Sequence, residues 1–199
     1  MRHYLPDEAL APDAARVLRF WFGEPAEYGK RLKRWFDKDV AFDDEVGRTF
    51  RDLHAELAAG EHQDWLGRRA DCLAYIVATD QFPRNIFRGD ERAFSTDALA
   101  LRAARAALAR GLDKDLLPVE RLFFYLPFEH SEALEDQLKA CELCAPLASF
   151  AETADVLRYA IAHRDIIQRF GRFPHRNSAL GRESTAQELE FLKQPGSSF

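Results

Sequence analysis

The sequence predicts an all-α protein, a superhelical array of about nine antiparallel helices, and three observations carry that reading. Apolar residues recur at steps of three and four along most of the chain, which puts them on one face of a helix. No run alternates apolar and polar residues as a half-buried strand does. Glycine and proline fall between the periodic runs, where helices stop, and the connections left over are short. None of these connections is long enough to divide the chain. One domain is therefore expected over residues 1–199, with loose tails at 1–11 and 194–199.

Each element has its own justification. The first helix covers PDAARVLRFWF and stops at Gly23, and a short one follows in KRLKRWF. FDDEVGRTFRDLHAELAA ends at Gly60, which can take the left-handed backbone that closes a helix. DWLGRRADCLAYIVATDQ begins with Asp64 as its N-cap and is expected to be closed by Pro83. TDALALRAARAALAR ends at Gly111. PVERLFFYLPFEH carries Pro118 in its first turn, where a missing N–H leaves no bond unmade. Its Pro127 lies near the other end, where a kink or a stop is expected. Ser131 is placed to cap EALEDQLKACELCA, which Pro146 stops. FAETADVLRYAIAHRDIIQRF stops at Gly171, and STAQELEFLK precedes the polar tail.

Composition narrows the function classes. Hydrophobic residues make up 47% of the chain, enough for a sizeable core, and the net charge is −5. No basic stripe with interleaved aromatics is present, so nucleic acid is not expected as a partner. The most apolar stretch, LFFYLPF, is far short of the ~20 residues of a membrane span, and the N-terminus lacks a signal-peptide pattern. Three cysteines, Cys72, Cys141 and Cys144, do not make a disulfide framework, which points to a reducing, cytoplasmic setting. Arginine outnumbers lysine 22 to 6, and arginine suits forked recognition of carboxylate or phosphate.

One motif occurs twice. QFPRNIFRGDERAFST and, about ninety residues later, GRFPHRNSALGREST share Phe-Pro, Arg-Asn, a glycine four residues after the asparagine, and Ser-Thr. Each follows a helix whose buried stripe holds an ionisable residue. Leu66, Ala70, Leu73, Val77 and Asp80 share a face, as do Val156, Ala160, His163, Ile167 and Phe170. The Pro118 helix is apolar nearly all round: Val119, Phe123, Leu126 and His130 form one face, and Leu122, Tyr125 and Glu129 another. It should be central and carry Glu129 and His130 inward. Buried ionisable groups must pair or shift their pKa, so Asp80, Glu129, His130 and His163 are expected to converge as candidate acid–base residues. The elbows would turn Arg84, Arg172 and Arg176 towards them, with Asn85 and Asn177 in left-handed backbone at each bend. His3, His54 and His62 are expected to be exposed. CELC lies inside a helical pattern without a second ligand pair, so two core or half-exposed thiols are expected, and neither metal nor cofactor.

At DQFPRNIFRG, FFYLPFEHSE and IIQRFGRFPHRNSALGREST the chain resembles an uncharacterised bacterial family, domain of unknown function 924. The resemblance covers most of the chain and implies an all-helical, tetratricopeptide-like architecture. It implies no activity and supplies no catalytic residues.

The function expected first is recognition of a small anionic molecule or an acidic peptide segment. In that reading Arg84, Arg172 and Arg176 engage the anion, Asn85 and Asn177 orient it, and Tyr125, Glu129 and His130 line the wall. The second reading is a metal-independent acid–base enzyme, a hydrolase, pairing Glu129 or Asp80 with His130 or His163. The third is a scaffold whose buried polar network fixes the packing. Oligomeric state has no signature in the sequence.

Overall fold

Residues 10–198 are described by the computed structural model, and among them every regular element is helical. The α-helical segments are α1 (Pro12–Phe22), α2 (Val40–Ala58), α3 (Arg69–Ile76), α4 (Phe82–Ile86), α5 (Asp97–Ala109), α6 (Pro118–Glu129), α7 (Leu134–Cys144), α8 (Val156–Phe170) and α9 (Ala186–Phe191). A π-turn, Val77–Gln81, joins α3 to α4 in one rod, which leaves eight separate helices among the described residues. Residues 1–9, with His3, and residue 199 lie outside the described part. Of the expected C-terminal tail, Ser197 is buried and donates to the Leu192 carbonyl at 3.1 Å.

The sequence set several ends correctly. Gly23, Gly60, Gly111 and Gly171 have positive φ at or just beyond helix termini. Elsewhere capping chemistry moved the boundary. Asp39 accepts from the N–H groups of Ala41 and Phe42, so α2 begins two residues before the predicted start. Asp64 caps nothing: residues Gln63–Gly67 form a 3₁₀ turn, and α3 starts after Arg68. KRLKRWF contributes only a 3₁₀ turn, Lys33–Trp35. Ser131 lies ahead of α7's cap position, but its hydroxyl accepts from Ala133 N and donates to Asp136 at 2.6 Å. Pro127 does not end α6, which runs on to Glu129.

The core is organised round α6, which packs against α3, α5, α7 and α8 and is buried from Leu122 to Glu129. An aromatic cluster fills the space between α1, α2 and the rod. Phe82 stacks on Phe50 at 4.7 Å and meets Trp21 edge-on at 5.7 Å, and Phe123 meets Trp35 edge-on at 5.0 Å. A second, smaller cluster of Ile166, Ile167 and Phe173, joined by Phe170 and Phe191, holds α9 to the end of α8.

The two elbows differ. Pro83 was expected to stop its helix, yet the helix passes straight through it. Proline has no N–H for the carbonyl four residues back, Thr79, and its ring crowds that oxygen. The chain answers with a wider turn in which Phe82 N bonds the Val77 carbonyl, five residues back. The Thr79 carbonyl takes its hydrogen from the Thr96 hydroxyl at 2.6 Å instead. That hydroxyl also meets His54 Nε2 at 3.2 Å, and His54 is buried, contrary to the exposed position expected for it. The second elbow is a true break, a left-handed Gly171 followed by a 3₁₀ turn, Pro174–Arg176. Neither asparagine is left-handed: Asn85 is α-helical, and Asn177 has φ −57° and ψ −45°. Ser-Thr also serves two purposes. Thr185 caps α9 in a reciprocal pair with Glu188, whereas Thr96 makes no capping bond and serves the π-turn.

Candidate functional site

The π-turn holds Asp80 against the C-terminal end of α6. Asp80 Oδ1 lies 2.8 Å from His130 Nδ1, and Gln81 Nε2 donates to Oδ2 at 2.6 Å. Arg84, one turn on, donates to the Asp80 carbonyl and sits 3.6 Å from Oδ1. Burial alone would raise the Asp80 carboxyl. The charges of His130 and Arg84 and the hydrogen bonds to His130 and Gln81 outweigh it and hold the group well below the usual carboxylate range. Burial and the Arg84 guanidinium together pull the His130 imidazole below its ordinary value, against the attraction of Asp80. The pair at neutral pH is therefore a carboxylate and a neutral imidazole, with Nδ1–H donating to Asp80 and a lone pair on Nε2.

Glu129 and His163 form the neighbouring pair. Glu129 Oε2 lies 3.5 Å from His163 Nδ1, and Oε1 accepts from the Cys144 thiol at 3.3 Å. Burial raises Glu129 to about 8, and Asp80 adds to the rise, so the carboxyl keeps its proton at neutral pH. Burial also drives His163 down to about 3, despite the hydrogen bond to the Tyr159 carbonyl at 2.9 Å. Their contact is dipolar, not an ion pair. The His130 and His163 rings are 6.3 Å apart, so all four groups placed on buried stripes come together. Cys144 is buried and its thiol is pushed far up by burial and by Glu129, while Cys141 is half-buried.

Two guanidiniums face this cluster. Arg84 makes a forked pair with Asp97 at 2.8 and 3.1 Å, and Arg176 Nη1 reaches the same carboxylate at 3.3 Å. Arg176 lies between the Phe94 and Phe173 rings, 4.7 and 4.5 Å from their centroids. Its residue exposure is 6%. Burial and the Arg84 charge lower it to about 10. That single bond to Asp97 is its guanidinium's only hydrogen bond to the described residues, and its buried Nε has none.

The other predicted residues are committed elsewhere. Asn85 donates to Asp43 at 2.7 Å and lines a separate cleft of about 620 Å³ between α2 and α4. Arg172 forks onto Glu188 at 2.7 and 2.8 Å and steadies α9. Tyr125 gives its hydroxyl to Asp113 at 2.8 Å and accepts from Arg121. Asn177 bonds Ser184 and Arg182, bracing its own loop. Sequence reasoning missed three residues. Asp97 is shared by both guanidiniums, and Glu132 pairs with Arg182 at 2.7 Å and accepts from Phe173 N at 2.8 Å. His175, half-buried, is lowered to about 4 by burial, Arg176 and His130. The available signal was FPHRN itself, which differs from FPRN by that histidine. Among the described residues, Glu56, Glu61 and His62 offer possible metal ligands within 4.8 Å of one another, on the partly exposed end of α2 and its loop.

No curated protein matches the chain. A solved structure of a protein of unknown function from Agrobacterium tumefaciens is similar, with 43% identity and a TM-score of 0.81 over 90% of this chain and 96% of that one. The family model described as "Bacterial protein of unknown function (DUF924)" matches residues 17–196, and the chain belongs to that family.

Proposed function

We propose that the protein recognises a small anionic molecule, a carboxylate or phosphate, at Arg176 and His175, beside His130. The observation that supports this most directly is Arg176. A guanidinium more than nine-tenths buried normally spends its donors on carboxylates or carbonyls, because an unmet buried donor costs about 1–3 kcal/mol. Arg176 spends one, at 3.3 Å, on a carboxylate that already accepts a closer fork from Arg84. The Phe94 and Phe173 rings, 4.7 and 4.5 Å from its central carbon, confine the guanidinium, so its remaining donors are preorganised for a planar or tetrahedral anion. The site is narrower than the sequence suggested: Arg84 supports it, and Arg172, Asn85, Asn177 and Tyr125 stand outside it. With only 6% of Arg176 exposed, a small carboxylate suits it better than an acidic peptide. The three free cysteines favour a cytoplasmic setting for such a ligand.

A thermal-shift titration with succinate and inorganic phosphate tests this. Saturation at 100 times Kd stabilises by about 2.7 kcal/mol, which for a chain of this length raises Tm by roughly 5–10 °C. Arg176→Met, which keeps the stacked stem, should remain folded and lose the shift. A wild-type Tm indifferent to both anions at tens of millimolar would remove the reading.

A further inference from the structure

The anion site leaves the imidazole of His130 without a task, and its surroundings supply one. Nδ1 is fixed by Asp80, which is itself fixed by Gln81 in the π-turn and by Arg84 in α4. Nε2 makes no hydrogen bond to the described residues, and the side chain is 13% exposed, more than Asp80 or His163. A carboxylate that orients an imidazole and leaves its far nitrogen open is the arrangement of a general base. The side-chain nucleophiles nearby are occupied: the Ser131 hydroxyl donates to Asp136 and the Cys144 thiol to Glu129. The proton available to Nε2 therefore comes from water or from the ligand.

Resting on the anion site above, we infer that His130 is the catalytic base of a hydrolase for small esters that carry a carboxylate, with Arg176 as the anchor and Asp80 as the positioning residue. Nε2 takes a proton from water while the water oxygen bonds the acyl carbon, and the carbonyl electron pair moves to its oxygen. Collapse of that adduct breaks the ester C–O bond, and the departing alkoxide leaves with the proton from Nε2. Water enters, an acid and an alcohol leave, and nothing is oxidised or reduced. The charged and titratable groups around His130 are Asp80, Arg84 and Asp97 from the rod and α5, His163 from α8 and His175 from the second elbow. Burial and Arg84 keep the imidazole neutral against the pull of Asp80 and Asp97, so kcat/KM should fall only below the ordinary histidine range.

The test follows release of 4-nitrophenol from mono-4-nitrophenyl succinate and from neutral 4-nitrophenyl acetate by the full chain. Wild type should turn over the succinyl ester about 10²–10⁴ times faster than His130→Gln. The variant should keep its succinate-induced thermal shift. Arg176→Met should raise KM for the succinyl ester and narrow its advantage over the acetate. Equal turnover by wild type and His130→Gln overturns the catalytic role, and if the succinate shift persists the binding reading survives alone. Absence of both turnover and shift removes the two together.

Discussion

Glu129 and His163 tie stability to pH in opposite directions. The folded carboxyl titrates near 8, raised by burial and Asp80 from an ordinary 4.5. Between those values the native state holds a proton that the unfolded chain has released, so this residue's contribution to stability falls as pH rises, by up to about 1.4 kcal/mol per unit. His163 behaves conversely. Its folded value near 3 means the unfolded imidazole takes up a proton below 6.5 that the native one refuses, and stability is lost as pH falls. Replacing Glu129 by Gln keeps the shape and removes the first effect. The gap in unfolding free energy between Glu129→Gln and wild type should grow in the variant's favour by about 2–4 kcal/mol from pH 5 to 8, read by urea denaturation. A constant gap would mean that Glu129 is ionised throughout. Asp97 offers a second test, because one carboxylate neutralises two guanidiniums. Asp97→Asn should cost about 2–4 kcal/mol in plain buffer, since it leaves like charges adjacent in a partly buried site. Added phosphate should restore more of that loss than it adds to wild type.

The π-turn is the element on which Asp80 depends, and it depends in turn on one hydroxyl. Thr96→Val keeps the volume and strands the Thr79 carbonyl, so a loss of about 1–3 kcal/mol is expected, seen as a lower urea midpoint at unchanged slope. A smaller effect would mean that the carbonyl finds another partner. Much of the rest was legible in advance. The 3.6-residue period gave α1, α5 and α6 to within two residues, and it placed Asp80, Glu129, His130 and His163 inward because stripe positions do not depend on distant partners. The π-turn was hidden because an extra residue in a uniformly apolar run leaves no break in the pattern, and Pro83 reads equally as a stop. Asn85, Tyr125 and Arg172 were misassigned for a different reason. Their partners Asp43, Asp113 and Glu188 lie 42, 12 and 16 residues away, and pairing at such distances is settled by packing.

At the scale of the molecule the chain has a large core and a small one, and the small one carries the second elbow. Ile166, Ile167 and Phe173 form it with Phe170 and Phe191, and few apolar side chains hold α9 in place. Glu132 clasps this part to the start of α7 by accepting from Arg182 and from Phe173 N. Glu132→Gln should speed hydrogen exchange of amides in 173–192 about tenfold, equivalent to about 1.4 kcal/mol of local opening, while α6 amides stay as protected as before. Uniform acceleration would mean that the two cores open together. The placement of Arg176 has a consequence of its own. The segment that supplies the proposed anchor belongs to the smaller core, so on that proposal a bound guest should also fasten residues 172–191. Trypsin, which cuts after Arg172, Arg176 and Arg182, should then nick the empty protein sooner than the occupied one.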